Sequence, residues 1–162
     1  MKFFKAVLFA FTLLFAITSQ AGTLNDDEYM ELSGALTDGK LDVVKRYIDK
    51  DPSLLSYTFY AWQPLQMATN HNQVAVVKYL VEKGADKNYV HPVSKMTAFH
   101  LAAFNGFDEI VKYLAAQGAD INKKMKGGVS LIRVVKDEGN TKMVGLLTSL
   151  GVKEEGCEGE CF

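Results

Sequence analysis

The sequence predicts an all-α solenoid of about four helix-turn-helix units with projecting hairpin loops. Three observations predict this class: the chain repeats itself at a shift of 33 or 34 residues, the apolar residues of each copy fall at helical spacing in two short bursts, and a glycine or asparagine separates the bursts. A single pair of short helices cannot bury its apolar face alone. The copies must therefore stack on one another to form a core.

The repeat is clearest in the middle of the chain. "TAFHLAAFNGFDEIVKYLAAQGADIN" (97–122) aligns with "QPLQMATNHNQVAVVKYLVEKGADKN" (63–88) at a shift of 34, sharing Val-Lys-Tyr-Leu and Gly-Ala-Asp in register. A further shift of 33 reaches Gly139 from Gly106, and a backward shift of 33 from the second copy reaches Ala35. The chain therefore contains four copies of one unit.

Each copy reads as a first helix, a sharp turn, a second helix and a polar loop. Glycine and asparagine tolerate the left-handed backbone that a sharp helix-to-helix turn demands. At that turn the four copies carry Gly39, Asn72, Gly106 and Gly139. A second glycine predicts a cap after the second helix, at Gly84, Gly118 and Gly151.

At this point the units resemble the ankyrin repeat, whose signature begins threonine-proline-leucine-histidine-x-alanine and ends glycine-alanine-aspartate-x-asparagine. The third copy matches with "TAFHLA" and "GADIN", and the second with "QPLQMA" and "GADKN". The fourth has Arg133 at the histidine position, and the first keeps mainly "ALTDGKLDVVKRYIDKDPSLL". The resemblance covers roughly residues 26–152, and the weaker terminal copies are expected to act as caps.

The expected organisation has three parts. It comprises a signal peptide (1–21), a repeat domain (22–152, with units at about 26–56, 57–91, 92–124 and 125–152) and an acidic tail with two cysteines (153–162).

The amino terminus has the pattern of a secretory signal. Lys2 and Lys5 precede an apolar, acid-free run from Ala6 to Ile17, and small residues follow, so we expect cleavage near Ala21. The alternative, a membrane anchor, needs roughly 20 apolar residues. We therefore expect a small exported bacterial protein of the periplasm, or a secreted one, without stable membrane insertion.

Cleavage would leave a mildly acidic chain. Loss of Lys2 and Lys5 takes the 18 basic residues to 16, against 19 acidic ones, for a net charge of −3. Such a balance offers phosphates no attraction, which makes nucleic acid a poor candidate partner.

The three histidines invite a catalytic or metal interpretation. His100 occupies the signature histidine, and the resemblance implies that its ring bonds the loop backbone between adjacent units. His71 and His91 lack the spacing of a zinc site and have no cysteine nearby. His71 ends a first helix, and the resemblance places such helix ends on the binding groove.

No pattern predicts an active site, a cofactor or a resident metal. The chain has no serine in a nucleophile-elbow context and no glycine loop ahead of a phosphate-binding lysine. Asp86 and Asp120 follow the glycine-alanine-aspartate turn and are expected to bond local backbone. Other acids read as solvated helix faces, namely Glu31, Asp42, Glu82, Asp108 and Glu109.

Cys157 and Cys161 close the chain in "EEGCEGECF". In an exported protein, two thiols on either side of Gly159 predict a disulfide. A soft-metal or redox site aided by Glu158 and Glu160 is the sharper alternative, and a pair of reduced, inert thiols is the third. Phe162 could fold back over the apolar flank of the last helix.

"SYTFYAWQPL" (56–65) crowds four aromatic residues into six positions. The register of the resemblance places Phe59, Tyr60 and Trp62 in a projecting hairpin loop that meets the partner in ankyrin proteins, with Ala61 where glycine is usual. Tyrosine and tryptophan carry much of the binding energy at protein interfaces. Alternatively, one or two rings pack on the first unit, with Tyr57 or Phe59 as a lid.

The same face of the other units completes the expected binding surface. Its members are Val93, Ser94 and Met96 in the next loop, and the helix-end residues Asn70, His71, Phe104, Asn105, Asp137 and Glu138. The resemblance implies a non-enzymatic protein that binds another protein, an envelope protein or a toxin neutralised in the manner of an immunity protein. The alternative function is an accessory role in redox, peroxide or metal homeostasis that uses the cysteine pair.

Overall fold

The computed structural model describes residues 24–154. Within them lie four pairs of helices: α1 (Asp26–Asp38) with α2 (Leu41–Lys50), α3 (Pro64–Asn70) with α4 (Val74–Glu82), α5 (Ala98–Phe104) with α6 (Asp108–Ala116), and α7 (Leu131–Asp137) with α8 (Thr141–Ser149). Short 3₁₀ turns cover Pro52–Ser56 and Lys126–Gly128. The prediction of an all-α solenoid is confirmed.

Two expectations concern residues outside this range. The signal peptide with cleavage near Ala21 precedes the described residues. The pair Cys157 and Cys161, together with Phe162, follows them.

The first helices α1, α3 and α5 begin where a capping side chain or a proline accounts for the amino end. Asn25 and Glu28 form a reciprocal capping box at α1, with bonds of 2.9 and 3.1 Å. Pro64 is the first residue of α3, where its missing N–H costs nothing. At α5, Thr97 Oγ1 accepts from the His100 backbone N–H at 3.3 Å.

The sharp turns within the pairs adopt the left-handed backbone that the sequence predicts. The φ angles are +76° at Gly39, +56° at Asn72, +76° at Gly106 and +74° at Gly139. A β-carbon on Gly39 would meet the side-chain amide of Gln73, which would have to move to make room for it.

The helices form two layers. The first helices contact one another in the order α1, α3, α5, α7, and α2, α4 and α6 contact in the same order behind them. Between the layers lies one continuous apolar core. Its fully buried members include Leu32, Leu36, Ile48, Leu65, Leu80, Phe99, Ile110, Leu114, Leu131, Met143 and Leu147.

Polar side chains join successive units at one level of the stack. Asp120 N–H donates to Asn88 Oδ1 at 2.8 Å, and Lys153 N–H donates to Asn122 Oδ1, also at 2.8 Å. Asp86 and Asp120 accept from backbone N–H groups two residues ahead. The terminal asparagine of each strong repeat thus bonds the loop of the next unit.

Candidate functional site

The loop that enters the second unit is a two-residue β-hairpin. Phe59 and Trp62 exchange two backbone hydrogen bonds of 2.8 and 2.9 Å. Between them, Tyr60 and Ala61 have φ angles of +50° and +70°. Turns of this kind favour Asn-Gly, because a β-carbon is strained at positive φ. The chain therefore holds a tyrosine at the hairpin tip in a conformation that costs free energy.

Phe59 does not project towards a partner, and this part of the predicted site is wrong. Its side chain is 1% exposed. The ring lies 5.0 Å from that of Tyr29 and 4.9 Å from that of Tyr57. Tyr29 on α1 provides the surface beneath the hairpin, so Phe59 fastens the loop to the first unit.

Tyr60 has the opposite environment, with 87% of its surface exposed. Its ring meets Tyr29 edge-on, with centroids 6.0 Å apart and planes at 87°. Burial, followed by the neighbouring Tyr60, raises the pKa of the Tyr29 hydroxyl. Tyr60 is thus an aromatic group that is braced on one side by Tyr29 and open to solvent on the other.

Two depressions flank Tyr60. One, of about 320 Å³, lies between the hairpin and α1; the other, of about 230 Å³, lies between the hairpin and the end of α3. Phe59, Tyr60 and Met67 line both. The first also has Tyr29, Met30, Ser33, Gly34 and Thr37, and the second has Trp62, Asn70 and His71. Neither is lined by Asp, Glu, Lys or Arg.

Trp62 is half-buried because His91 lies against it. The two rings have centroids 4.6 Å apart and an interplanar angle of 39°. His91 belongs to the loop that enters the third unit and is 8% exposed. Tyr89 Oη donates to the Ala61 carbonyl at 2.9 Å, so the same loop also supports the strained turn.

The remaining predicted residues are only partly brought together. Asn105 Nδ2 donates to Asn70 Oδ1 at 3.3 Å, which joins two helix ends of the surface. Val93 and Phe104 are exposed, whereas Ser94 and Met96 are half-buried within their loop. Asp137 and Glu138 line neither depression, and Asp137 Oδ2 lies 3.9 Å from Arg133 Nε.

Several surface residues were not predicted. Tyr29, Met30, Ser33 and Thr37 belong to the first unit, which matches the repeat signature only weakly. The register contains the signal, because Ala35 aligns with Ala68 and places Gly34 opposite Met67. No sequence pattern indicates that His91 packs against Trp62.

His100 and Gln66 occupy equivalent positions inside the stack. His100 Nδ1 accepts from the Thr97 N–H at 3.1 Å, and its Nε2 lies 2.7 Å from the Lys123 carbonyl oxygen. Gln66 Nε2 donates to the Met96 carbonyl at 2.9 Å. Burial lowers the pKa of the His100 imidazole, which favours the neutral ring that these bonds require.

The outer layer carries a second set of polar contacts. Tyr79 Oη donates to Asp49 Oδ1 at 3.0 Å, and Lys83 Nζ lies 2.6 Å from the same oxygen. Burial, with a smaller effect of Asp49, raises the pKa of Tyr79 to about 12. These bonds tie α4 and the turn after it to α2.

Two features of residues 24–154 bear on other functions. Within that range no cluster of three or more His, Cys, Asp or Glu side chains is placed to hold a metal ion. None of the helices in the same range has the length and apolar character needed to cross a bilayer.

The matches to known proteins agree with this geometry. A profile of ankyrin repeats in three copies matches residues 32–125. The ankyrin repeat and SAM domain-containing protein 6 of Rattus norvegicus is 36% identical over 119 residues, and that of Mus musculus is 34% identical. Both alignments cover 72% of this chain but only 13% and 14% of the relatives.

More distant similarities have the same character. The target of rapamycin complex 2 subunit AVO2 of Saccharomyces cerevisiae is 27% identical over 126 residues, covering 75% of this chain and 30% of that protein. The chain thus spans a small part of the length of these relatives. The profile match over most of the described residues, and the stacked pairs themselves, show that the chain belongs to the ankyrin repeat family.

Proposed function

We propose that this protein binds another protein through the surface formed by its first three units, with Tyr60 as the central contact. Ankyrin repeats are protein–protein interaction modules, and the family is generally not enzymatic. The observation that carries the proposal is the position of Tyr60: 87% exposed, at a strained hairpin tip, between two apolar depressions.

The strain supports this interpretation. A residue held at positive φ without need costs of order 1 kcal/mol or more, and such costs cluster at binding sites. Asparagine and glycine would close the same turn at lower cost, yet the chain has Tyr60 and Ala61. An aromatic group at this tip gains little for the fold beyond its edge-on contact with Tyr29, because most of its surface remains in solvent. A binding role explains both the residue and its conformation.

The depressions indicate the chemistry of the partner. Their volumes of about 320 and 230 Å³ would each admit a side chain, and their walls are aromatic, methionine and neutral polar groups. Exposed Met30, Val93 and Phe104 extend the apolar character along the surface. We expect the partner to insert two apolar side chains on either side of the Tyr60 ring.

The test uses variants that leave the core intact. Tyr60→Ala combined with Phe104→Ala should weaken capture of the partner by at least about thirtyfold, the effect of losing a hot spot worth about 2 kcal/mol. Lys112→Ala, at an exposed position on α6, is the matched control and should bind like the wild type. Equal capture by the double variant and the control would overturn the proposal.

Location is a further part of the proposal. The leader pattern supports export to the periplasm of a bacterium, where the partner would be an envelope protein or a toxin held inactive. Mass spectrometry of the chain purified from its natural host should give an amino terminus just after Ala21. An intact Met1 terminus in a cytoplasmic fraction would contradict export without affecting the binding surface.

A further inference from the structure

The fourth unit leaves exposed a face that the third unit buries. His100 and Ala103 on α5 are fully buried. A shift of 33 takes them to Arg133 and Lys136 on α7, whose side chains are 48% and 44% exposed. Helix α7 thus presents two cations at positions where α5 is covered by the unit that follows it.

At the first of these two positions, the side chain reaches a loop carbonyl at a constant interval along the chain. Gln66 Nε2 donates to the Tyr89 carbonyl oxygen at 3.5 Å, and His100 Nε2 lies 2.7 Å from the Lys123 carbonyl oxygen. The acceptor follows 23 residues later in both units. A constant interval predicts the acceptor of the fourth unit as well.

The same interval from Arg133 ends at Gly156, beyond the described residues. A guanidinium has only donors, so it is suited to bond a backbone carbonyl. Glu154, two residues before Gly156, already lies beside α7, because the Lys136 Nζ atom is 2.5 Å from both of its carboxylate oxygens. The chain therefore reaches the exposed face at the point where the interval requires it.

The backbone that leads to this point repeats the path of the third unit. Lys153 N–H donates to Asn122 Oδ1 at 2.8 Å, as Asp120 N–H does to Asn88 Oδ1 one unit earlier. The shift of 33 that relates these bonds places residues 155–162 in register with the loop at 122–129.

The two segments carry opposite charges. The loop at 122–129 has three lysines and the segment at 155–162 has three glutamates, namely Lys123, Lys124, Lys126, Glu155, Glu158 and Glu160. Neighbouring loops of the stack lie in contact, since Tyr89 Oη donates to the Ala61 carbonyl across two of them at 2.9 Å. In register, the carboxylates of one segment would therefore face the ammonium groups of the other.

Phe162 continues a series of apolar residues. Trp62, Met96 and Val129 each precede the residue that caps a first helix, and each is half-buried. A shift of 33 from Val129 reaches Phe162. The segment at 155–162 thus has the length of a loop, its apolar residue and the complementary charge.

We propose that residues 155–162 dock on the fourth unit as a further loop of the stack, with the Arg133 guanidinium donating to the Gly156 carbonyl and the glutamates facing Lys124 and Lys126. The segment covers the exposed side of α7 and of the loop at 122–129. Its tether at Glu154 gives it a high effective concentration at this site, which favours it over a separate partner. The docking goes beyond the proposed function and does not depend on it, because the partner surface lies on the first three units.

Backbone order parameters from NMR relaxation of the full chain test the docking. A thiol reductant is present, so that no disulfide between Cys157 and Cys161 orders the segment. Amides of residues 156–162 should then have order parameters above about 0.6, the upper limit of flexible backbone. Values below this limit would overturn the proposal. So would values that rise with protein concentration, because they would mean that the segment docks on a second copy.

Exchange of the charges tests the pairing between the segment and the loop. Exposed ion pairs are weak one at a time, so two glutamates are reversed together. Glu158→Lys with Glu160→Lys should lower the order parameters of residues 156–162. Addition of Lys124→Glu with Lys126→Glu should restore them, because the opposite charges again face each other.

The matched control reverses two lysines away from the loop. Lys45→Glu with Lys112→Glu, at exposed positions of α2 and α6, gives the reversed segment the same net charge as the restored variant. This combination should restore nothing, because the new carboxylates lie elsewhere on the stack. Equal recovery in both combinations, or recovery in neither, would overturn the proposal.

The role of Arg133 is tested with the residue type that the second unit has in its place. Arg133→Gln keeps a donor, as Gln66 does, and should leave residues 156–158 ordered. Arg133→Leu keeps a long side chain without a donor and should lower their order parameters. Circular dichroism shows whether both variants keep their helices. Equal order in two folded variants would exclude the bond to Gly156 and overturn the proposed docking.

Discussion

At the scale of single residues, two different side chains make the same pair of hydrogen bonds in successive units. Gln66 and His100 both lie inside the stack, and each bonds the amino end of its own helix and a loop carbonyl beyond it. Glutamine does so with an amide that stays neutral at every pH. The imidazole does so only while it is uncharged, which makes the third unit sensitive to acid.

We therefore expect His100→Gln to reduce the acid sensitivity of the fold. Burial lowers the pKa of His100 in the folded state below the value of about 6.5 of an unfolded chain. The unfolded state then takes up the proton first, so the contribution of His100 to stability is complete above about pH 6.5 and is lost as the pH falls below it.

Urea denaturation at about pH 7.5 and pH 5 measures this difference. The wild type should lose more unfolding free energy between the two than His100→Gln does. The exposed His71→Asn variant should behave like the wild type. A pH dependence that is unchanged in His100→Gln would show that this ring is not the acid-sensitive group.

The two neighbours at the hairpin should respond in opposite ways to truncation. Phe59→Ala removes a fully buried ring and should lower the unfolding free energy by about 3–5 kcal/mol. Tyr60→Ala removes an exposed ring and should change it by no more than about 0.5 kcal/mol. Urea titrations of both variants at neutral pH check this, and similar losses would mean that the Tyr60 ring also belongs to the core.

At the scale of elements, the helices and the place of the aromatic hairpin were predictable, and the orientation of its side chains was not. The repeat places Gly39, Asn72, Gly106 and Gly139 at one position, and all four adopt positive φ. Nothing comparable marks Tyr60 and Ala61, because neither residue type favours the turn that they form. The hairpin loop itself was predicted, but without a turn signal at these two residues the alternation that turns Phe59 inward and Tyr60 outward could not be predicted.

The hairpin should become more stable when it receives the residues that its turn prefers. Tyr60→Asn with Ala61→Gly relieves strain at both central positions and should raise the unfolding free energy by about 1 kcal/mol. The same pair should lose partner binding, because the exposed ring is gone. Thermal and urea denaturation measure the first effect, and a lower stability would mean that the observed φ values carry no strain.

At the scale of the whole molecule, each unit is stabilised only by the neighbouring units that it contacts. The first helices contact in the order α1, α3, α5, α7, so the binding surface at the first three units is separated from α8 by the intervening stack. Helices at the ends have a neighbour on one side, and those in the middle have neighbours on both. A defect at one end should therefore remain near that end.

Leu147→Ala tests whether a defect at one end of the stack remains there. Leu147 is fully buried in α8, and its truncation should cost about 2–5 kcal/mol in the fourth unit. Native-state hydrogen exchange should show the loss of protection in α7 and α8, while amides of α3 beside Trp62 retain theirs. Leu65→Ala, in α3 and equally buried, should lower protection in the units on both sides because both pack against it. Equal loss of protection in α3 and α8 after Leu147→Ala would mean that the four units open together. The binding surface would then be lost whenever the carboxyl-terminal unit is damaged.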